Sequence, residues 1–96
     1  MKAADRNDKL MSAAARLVSS GGCYLTLSRE EIAKAAKCAP TLINHHFVTM
    51  ERFRQDLMRW AVRTRCLPII AQGLAHRDRT ARRAPWDVQS NARDLL

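Results

Sequence analysis

The sequence predicts an all-α fold, a small bundle of about four to six helices without internal repeats. Three observations carry that expectation. Apolar residues recur three and four apart, as in Leu10, Ala14, Leu17 and Val18. Ser28 precedes Glu31 by three residues, a capping box in which each side chain satisfies a backbone donor at a helix start. Pro40 suits the first position of a helix, where a missing N–H leaves no bond unmade, and Pro68 interrupts one.

The first helix is expected over residues 5–20, with Gly21 and Gly22 ending it. Tyr24, Leu25 and Leu27 then bridge to a second helix, filling the gap between the two with their apolar side chains. That second helix, Arg29–Ala36, has Ile32, Ala33 and Ala36 on one face and Lys34 and Lys37 beyond it. Cys38 and Ala39 form a turn, and a third helix follows over Pro40–His46. The fourth starts after Thr49, which can cap it, and runs to about residue 66. Phe53, Leu57, Trp60, Ala61 and Thr64 line its buried stripe.

The short second and third helices point to a function. Ile43 and Phe47 lie four apart and face inward, which leaves Thr41, Asn44 and His45 facing outward. Two short helices joined by a tight turn, the second polar on its outer side, are what a helix-turn-helix needs to enter a DNA major groove. Thr41 can contact a phosphate or a thymine methyl, and Asn44 can donate to a phosphate or read adenine. Pro40, Leu42 and His45 complete the candidate DNA-facing surface, and Arg29 and Lys37 flank it as candidate phosphate contacts. His45 and His46 are not a chelating pair, because helical neighbours point about 100° apart.

Composition agrees. Seventeen Lys plus Arg against nine Asp plus Glu give a net charge of +8 and a pI near 10.5. Such an excess favours a polyanionic partner, since each phosphate contact releases counterions. Aromatic residues make up only 5%, which supplies few stacking platforms for single strands. No apolar run is long enough to span a membrane, and the charged start MKAADRNDK lacks a signal core, so a cytoplasmic protein without membrane association is expected. Cys23, Cys38 and Cys66 form no CxxC pair and no zinc pattern with His45, His46 or His76, and read as half-buried free thiols. No metal or cofactor is expected. With no phosphate loop, nucleophile elbow or HExxH spacing, neither is an enzyme.

Over residues 5–60 the chain resembles the N-terminal DNA-binding domain of TetR-type transcriptional repressors. Ile32 and Ala33 match the family's Ile-Ala pair, and His46 and Phe47 match the ending of its recognition helix. Thr49, Glu51 and Phe53 match the cap, acid and apolar residue of its fourth helix, and Leu10 to Gly22 its first helix and glycine ending. Three positions depart: Lys37 stands where the family has a turn Gly, Asn44 where it has a phosphate-contacting Tyr, and Met50 where it has Lys. A non-Gly residue in that turn must take a positive φ or shift the turn, at about 1 kcal/mol. The resemblance implies a repressor that binds an inverted-repeat operator as a homodimer. The family's larger inducer-binding domain has no counterpart in 96 residues, so no small-molecule inducer is expected.

The expected organisation is a helix-turn-helix domain over residues 1–66 and a short helical and basic extension over residues 67–96. Ile69, Ile70 and Leu74 place a fifth helix at about residues 68–76. The Arg-dense stretch after it reads as a linker or mobile arm, and Pro85 can start a last helix in which Trp86, Val88 and Leu95 or Leu96 find a partner. Two readings stay open: a disordered tail holding phosphates, or a dimerisation segment, since a small monomer would leave Ile69, Ile70 and Leu74 exposed. The function expected is a sequence-specific DNA-binding transcriptional regulator, a repressor rather than an activator. The alternative is a small helical protein-interaction module on a degenerate helix-turn-helix scaffold.

Overall fold

Seven helices follow one another along the described residues: α1 (Ala3–Ser19), α2 (Arg29–Ala36), α3 (Pro40–His46), α4 (Met50–Thr64), α5 (Leu67–Ala75), α6 (Arg79–Arg82) and α7 (Trp86–Arg93). The computed structural model describes residues 3–47 and 49–96, with side chains from residue 7 onward. No strand occurs among them, as an all-α chain requires. The count is one above the expected four to six because of α6. Residues 77–85 are not the loose basic linker expected. The Asp78 carboxylate accepts from the amides of Thr80 at 2.9 Å and Ala81 at 3.1 Å, and Ala81 and Ala84 are buried. A single helical turn whose only apolar anchors are alanines leaves no stripe to read in the sequence.

Local chemistry explains most helix ends. Ser28 Oγ accepts from the Glu31 amide at 3.2 Å while Glu31 Oε1 accepts from the Ser28 amide at 3.3 Å, so the capping box is formed. Thr49 Oγ1 caps α4 by accepting from the Arg52 amide at 3.1 Å. Gly21, at φ +109°, turns the chain out of α1. Three other turns use the left-handed region without glycine: Lys37, Arg65 and Arg77 have φ of 57°, 58° and 60°. A β-carbon there costs roughly 1–2 kcal/mol. Replacing Lys37 with Gly is therefore expected to stabilise the fold by about 1 kcal/mol in chemical denaturation. A loss of stability would show that the lysine side chain holds the turn.

One core runs through the molecule. Leu10 of α1, Ile32 of α2, Ile43 of α3, Phe53, Leu57 and Met58 of α4, Ile69 and Ile70 of α5 and Val88 of α7 are all fully buried. Both segments expected from the sequence contribute to it. Ile69 and Ile70 thus do not wait for a second subunit. They are 0% exposed in a single chain, because α5 packs on α1 and α4 and is covered by α6 and α7. Leu74 is half-buried. A β-carbon at Gly73 would lie 2.8 Å from the Ala81 β-carbon and collide with the Met58 methyl, so this glycine lets α4, α5 and α6 approach closely. Three smaller expectations also change: Leu25 and Thr64 are exposed, and of Trp86, Val88, Leu95 and Leu96 only Val88 is buried. Trp86 is 77% exposed, Leu95 56% and Leu96 69%.

Gln72 ties the loop between α1 and α2 to α5. Its Oε1 accepts from the Tyr24 amide and its Nε2 donates to the Gly22 carbonyl, both at 2.8 Å. Tyr24 packs beneath that loop at 2% exposure, and burial, reinforced by Asp78 and then Cys23, pushes its phenol up to about 12. Burial also raises the Cys66 thiol. Gln72→Ala would strand two part-buried backbone groups and is expected to cost about 1–3 kcal/mol in thermal or denaturant unfolding. An unchanged midpoint would mean that water replaces the clip. No helix among the described residues is long and apolar enough to cross a membrane.

Candidate nucleic-acid interface

The exposed face of α3 is set by what anchors the other side. Ile43 is 0% exposed and Phe47 4%, and the Phe47 ring meets Phe53 edge to face at 5.0 Å. The Phe47 amide donates to the Ile43 carbonyl at 2.7 Å as the helix ends. At the other end Ala39 offers no capping oxygen, and Pro40 starts the helix by its fixed φ. With Ile43 and Phe47 pinned inward, Thr41, Asn44 and His45 are exposed. Their outward facing is as expected from the sequence.

Thr41, Leu42 and His45 line one shallow concavity with Ala39, of about 490 Å³. Residues four apart lie almost one above the other on a helix, which brings Thr41 and His45 together, while Asn44 projects to one side of them. The surface offers a hydroxyl, a carboxamide and an imidazole, all able to exchange hydrogen bonds with base edges or phosphates. Leu42 is half-buried and supplies an apolar edge, and Pro40 is exposed beside it.

The flanking cations stand differently. Lys37 closes α2 and is exposed at the turn leading into α3, with no ion pair among the described residues. Lys34, one turn earlier, is likewise exposed. Arg29 opens α2 at its far end, roughly 12 Å along the helix from Lys37. It is half-buried and already engaged within the chain. Lys37 thus lies at the turn next to α3 in sequence, and Arg29 at the opposite end of α2.

His46 is half-buried rather than outward. Its ring lies 6.4 Å from that of Phe47 and stands nearly perpendicular to His45 at 6.0 Å, so the two imidazoles diverge. Its Nε2 has no hydrogen-bond partner among the described residues. No group of three His, Cys, Asp or Glu residues among them converges as a metal site would require. Cys23, Cys38 and Cys66 are free and half-buried.

Two further features lie near the surface. The Trp60 indole N–H reaches Asp8 at 3.2 Å, linking α4 to α1 beside an open groove lined by Asn7, Ser12, Arg63 and Thr64. On α4 the Asp56 carboxylate accepts from Arg52 at 3.3 Å and from Arg59 at 3.0 Å, within exposed pairs that contribute little stability. Arg54 lies between them in sequence, half-buried. Helical spacing brings Asp56 within reach of Arg52 and Arg59 but says nothing of the Trp60–Asp8 bond, whose partners lie 52 positions apart. Comparison with known protein families, curated proteins and solved structures finds no match to this chain.

Proposed function

We propose that the chain is a sequence-specific DNA-binding regulator of transcription, a repressor whose α2 and α3 act as a helix-turn-helix. One observation carries the reading. The two bulky anchors of α3, Ile43 and Phe47, are buried, so its polar residues Thr41, Asn44 and His45 form a continuous exposed face beside the cationic turn at Lys37. A seven-residue helix projecting such a face, joined by a three-residue turn to an eight-residue support, has the dimensions of a major-groove reader. The net charge of +8 supplies the sequence-independent attraction that brings it to a duplex. In the TetR-like mode two copies sit on the half-sites of an inverted repeat. Because α5 is consumed by the core of one chain, that dimer would draw on the large apolar residues still exposed, Leu25, Trp86, Leu95 and Leu96.

Selection of bound sequences from a random duplex pool tests this reading, and a recurring motif, palindromic if the protein is dimeric on DNA, is the expected result. Asn44→Ala should then weaken binding to the selected site by about 1–3 kcal/mol, the range of a good base contact, without altering the thermal midpoint. Unchanged affinity would remove Asn44 from the interface. Recovery of no motif from the pool would remove the reading itself.

A further inference from the structure

A second cationic surface is built by α5, α6 and α7, helices other than α2 and α3. Arg77 in the turn after α5, Arg82 at the end of α6 and Arg93 at the end of α7 line one concavity of about 390 Å³, together with Leu74 and Leu96. Arg79, Arg82 and Arg83 line a second one of about 260 Å³ beside it. Five guanidinium groups are thus gathered on a surface built by α5, α6 and α7, whereas α3 packs on α2.

Three observations bear on what this surface takes. First, the acids around it are committed elsewhere or lie at its edge. Asp78 spends its carboxylate on the amides of α6, Asp87 pairs with Arg65 at 3.1 Å, and Asp94 stands exposed next to Arg93. Among the described residues Arg77, Arg79, Arg82 and Arg83 make no ion pair, and Arg93 donates only to the neutral Gln89 at 3.3 Å. Second, the backbone that carries these arginines is held in place. The Gln89 carboxamide donates to the carbonyls of Arg82 at 2.9 Å and Ala84 at 2.8 Å, clamping the α6–α7 turn, and Arg77 is fixed in a left-handed turn. Third, every one of the ten cations after Lys37 is an arginine. Guanidinium binds phosphate oxygens through two parallel hydrogen bonds, is weakly hydrated and never loses its charge.

From these we infer that the Arg77–Arg82–Arg93 surface is a second nucleic-acid site, one that holds the phosphodiester backbone of a duplex without reading its sequence. It works independently of α3. A chain with both surfaces can bind one duplex by sequence and hold a neighbouring stretch, or a second duplex, by charge alone.

The test uses the full-length chain and a duplex of random sequence, with binding followed by fluorescence anisotropy across a range of salt. Neutralising three phosphates contributes about −0.9 each to the slope of log K against log salt. The triple variant R77Q/R82Q/R93Q should therefore flatten that slope by roughly two to three, with circular dichroism and thermal midpoint checking the fold. The R77K/R82K/R93K variant, which keeps the charges, should restore most of the slope. If the glutamine variant keeps both the fold and the original slope, the surface is not a nucleic-acid site. Polyglutamate is the competing probe: displacement of duplex by it at equal or lower concentration would assign the surface to an acidic protein segment and overturn the proposal. Asn44→Ala separates the two functional readings. Loss of sequence preference with the slope intact belongs to α3, and loss of slope with the preference intact belongs to the arginine surface.

Discussion

A chain cut after Arg65 is expected to be unfolded. The cut removes α5, α6 and α7, and with them Ile69, Ile70 and Val88, all essentially absent from the surface, along with the buried alanines 71, 81, 84 and 92. Burying a large aliphatic side chain contributes roughly 1.5–3 kcal/mol, so three of them match much of the 5–15 kcal/mol that holds a typical domain together. The cut also uncovers Met58 on α4, which packs against Gly73 of α5. Far-ultraviolet circular dichroism of residues 1–65 should show little helix and no cooperative melt. A folded 1–65 fragment would mean that the first four helices form a self-sufficient domain and that α5 is an addition to it.

Phe47→Ala is the single substitution expected to do most damage near the α3 surface. Phe47 sits at the junction of α3 and α4, 4% exposed, with its ring edge to face on the fully buried Phe53. Removing a buried aromatic ring costs about 3–5 kcal/mol through lost burial and the cavity left behind. In a domain of this size that approaches the whole margin of stability. The same ring fixes the orientation of α3, so DNA affinity should fall along with the melting temperature. The conservative Phe47→Leu variant should keep most of the fold. A cooperative, fully stable Phe47→Ala protein would show that α3 is anchored by Ile43 alone.

How far the fold could be read in advance depended on whether its determinants were local. The limits of α2 and α3 follow from residues within three or four positions of them: the Ser28–Glu31 box, and Pro40 at the start of α3. The inward facing of Ile43 and Phe47 follows from their spacing. The end of α4 lies a residue or two before the expected point because Arg65 takes the left-handed conformation that usually announces itself by glycine. The helix α6 was hidden because its cap, Asp78, lies within a run of arginines and its buried anchors are alanines. Ile69 and Ile70 were placed on the right helix but with the wrong partner. A sequence shows which face of a helix is apolar, not which element covers it, and here α1, α4, α6 and α7 do so. The Gln72 clip was invisible for a similar reason, its partners being backbone groups 48 and 50 positions earlier.

The α3 surface was legible to the extent that core packing dictated it. Thr41, Asn44 and His45 are exposed because Ile43 and Phe47 take the inward positions. The gathering of Arg77, Arg82 and Arg93 depends on how separate segments fold together, which no local spacing encodes.

Whether α3 reads DNA is decided most directly by amide chemical-shift changes in the full chain, recorded with the selected duplex and with a scrambled duplex of the same composition. Both duplexes should perturb the arginine surface of α6 and α7 alike. The differences between the two titrations should concentrate on Thr41, Asn44 and His45, with Lys37 moving in both. Differences located elsewhere, or the absence of any difference while the selected duplex binds more tightly, would contradict the assignment of sequence reading to α3.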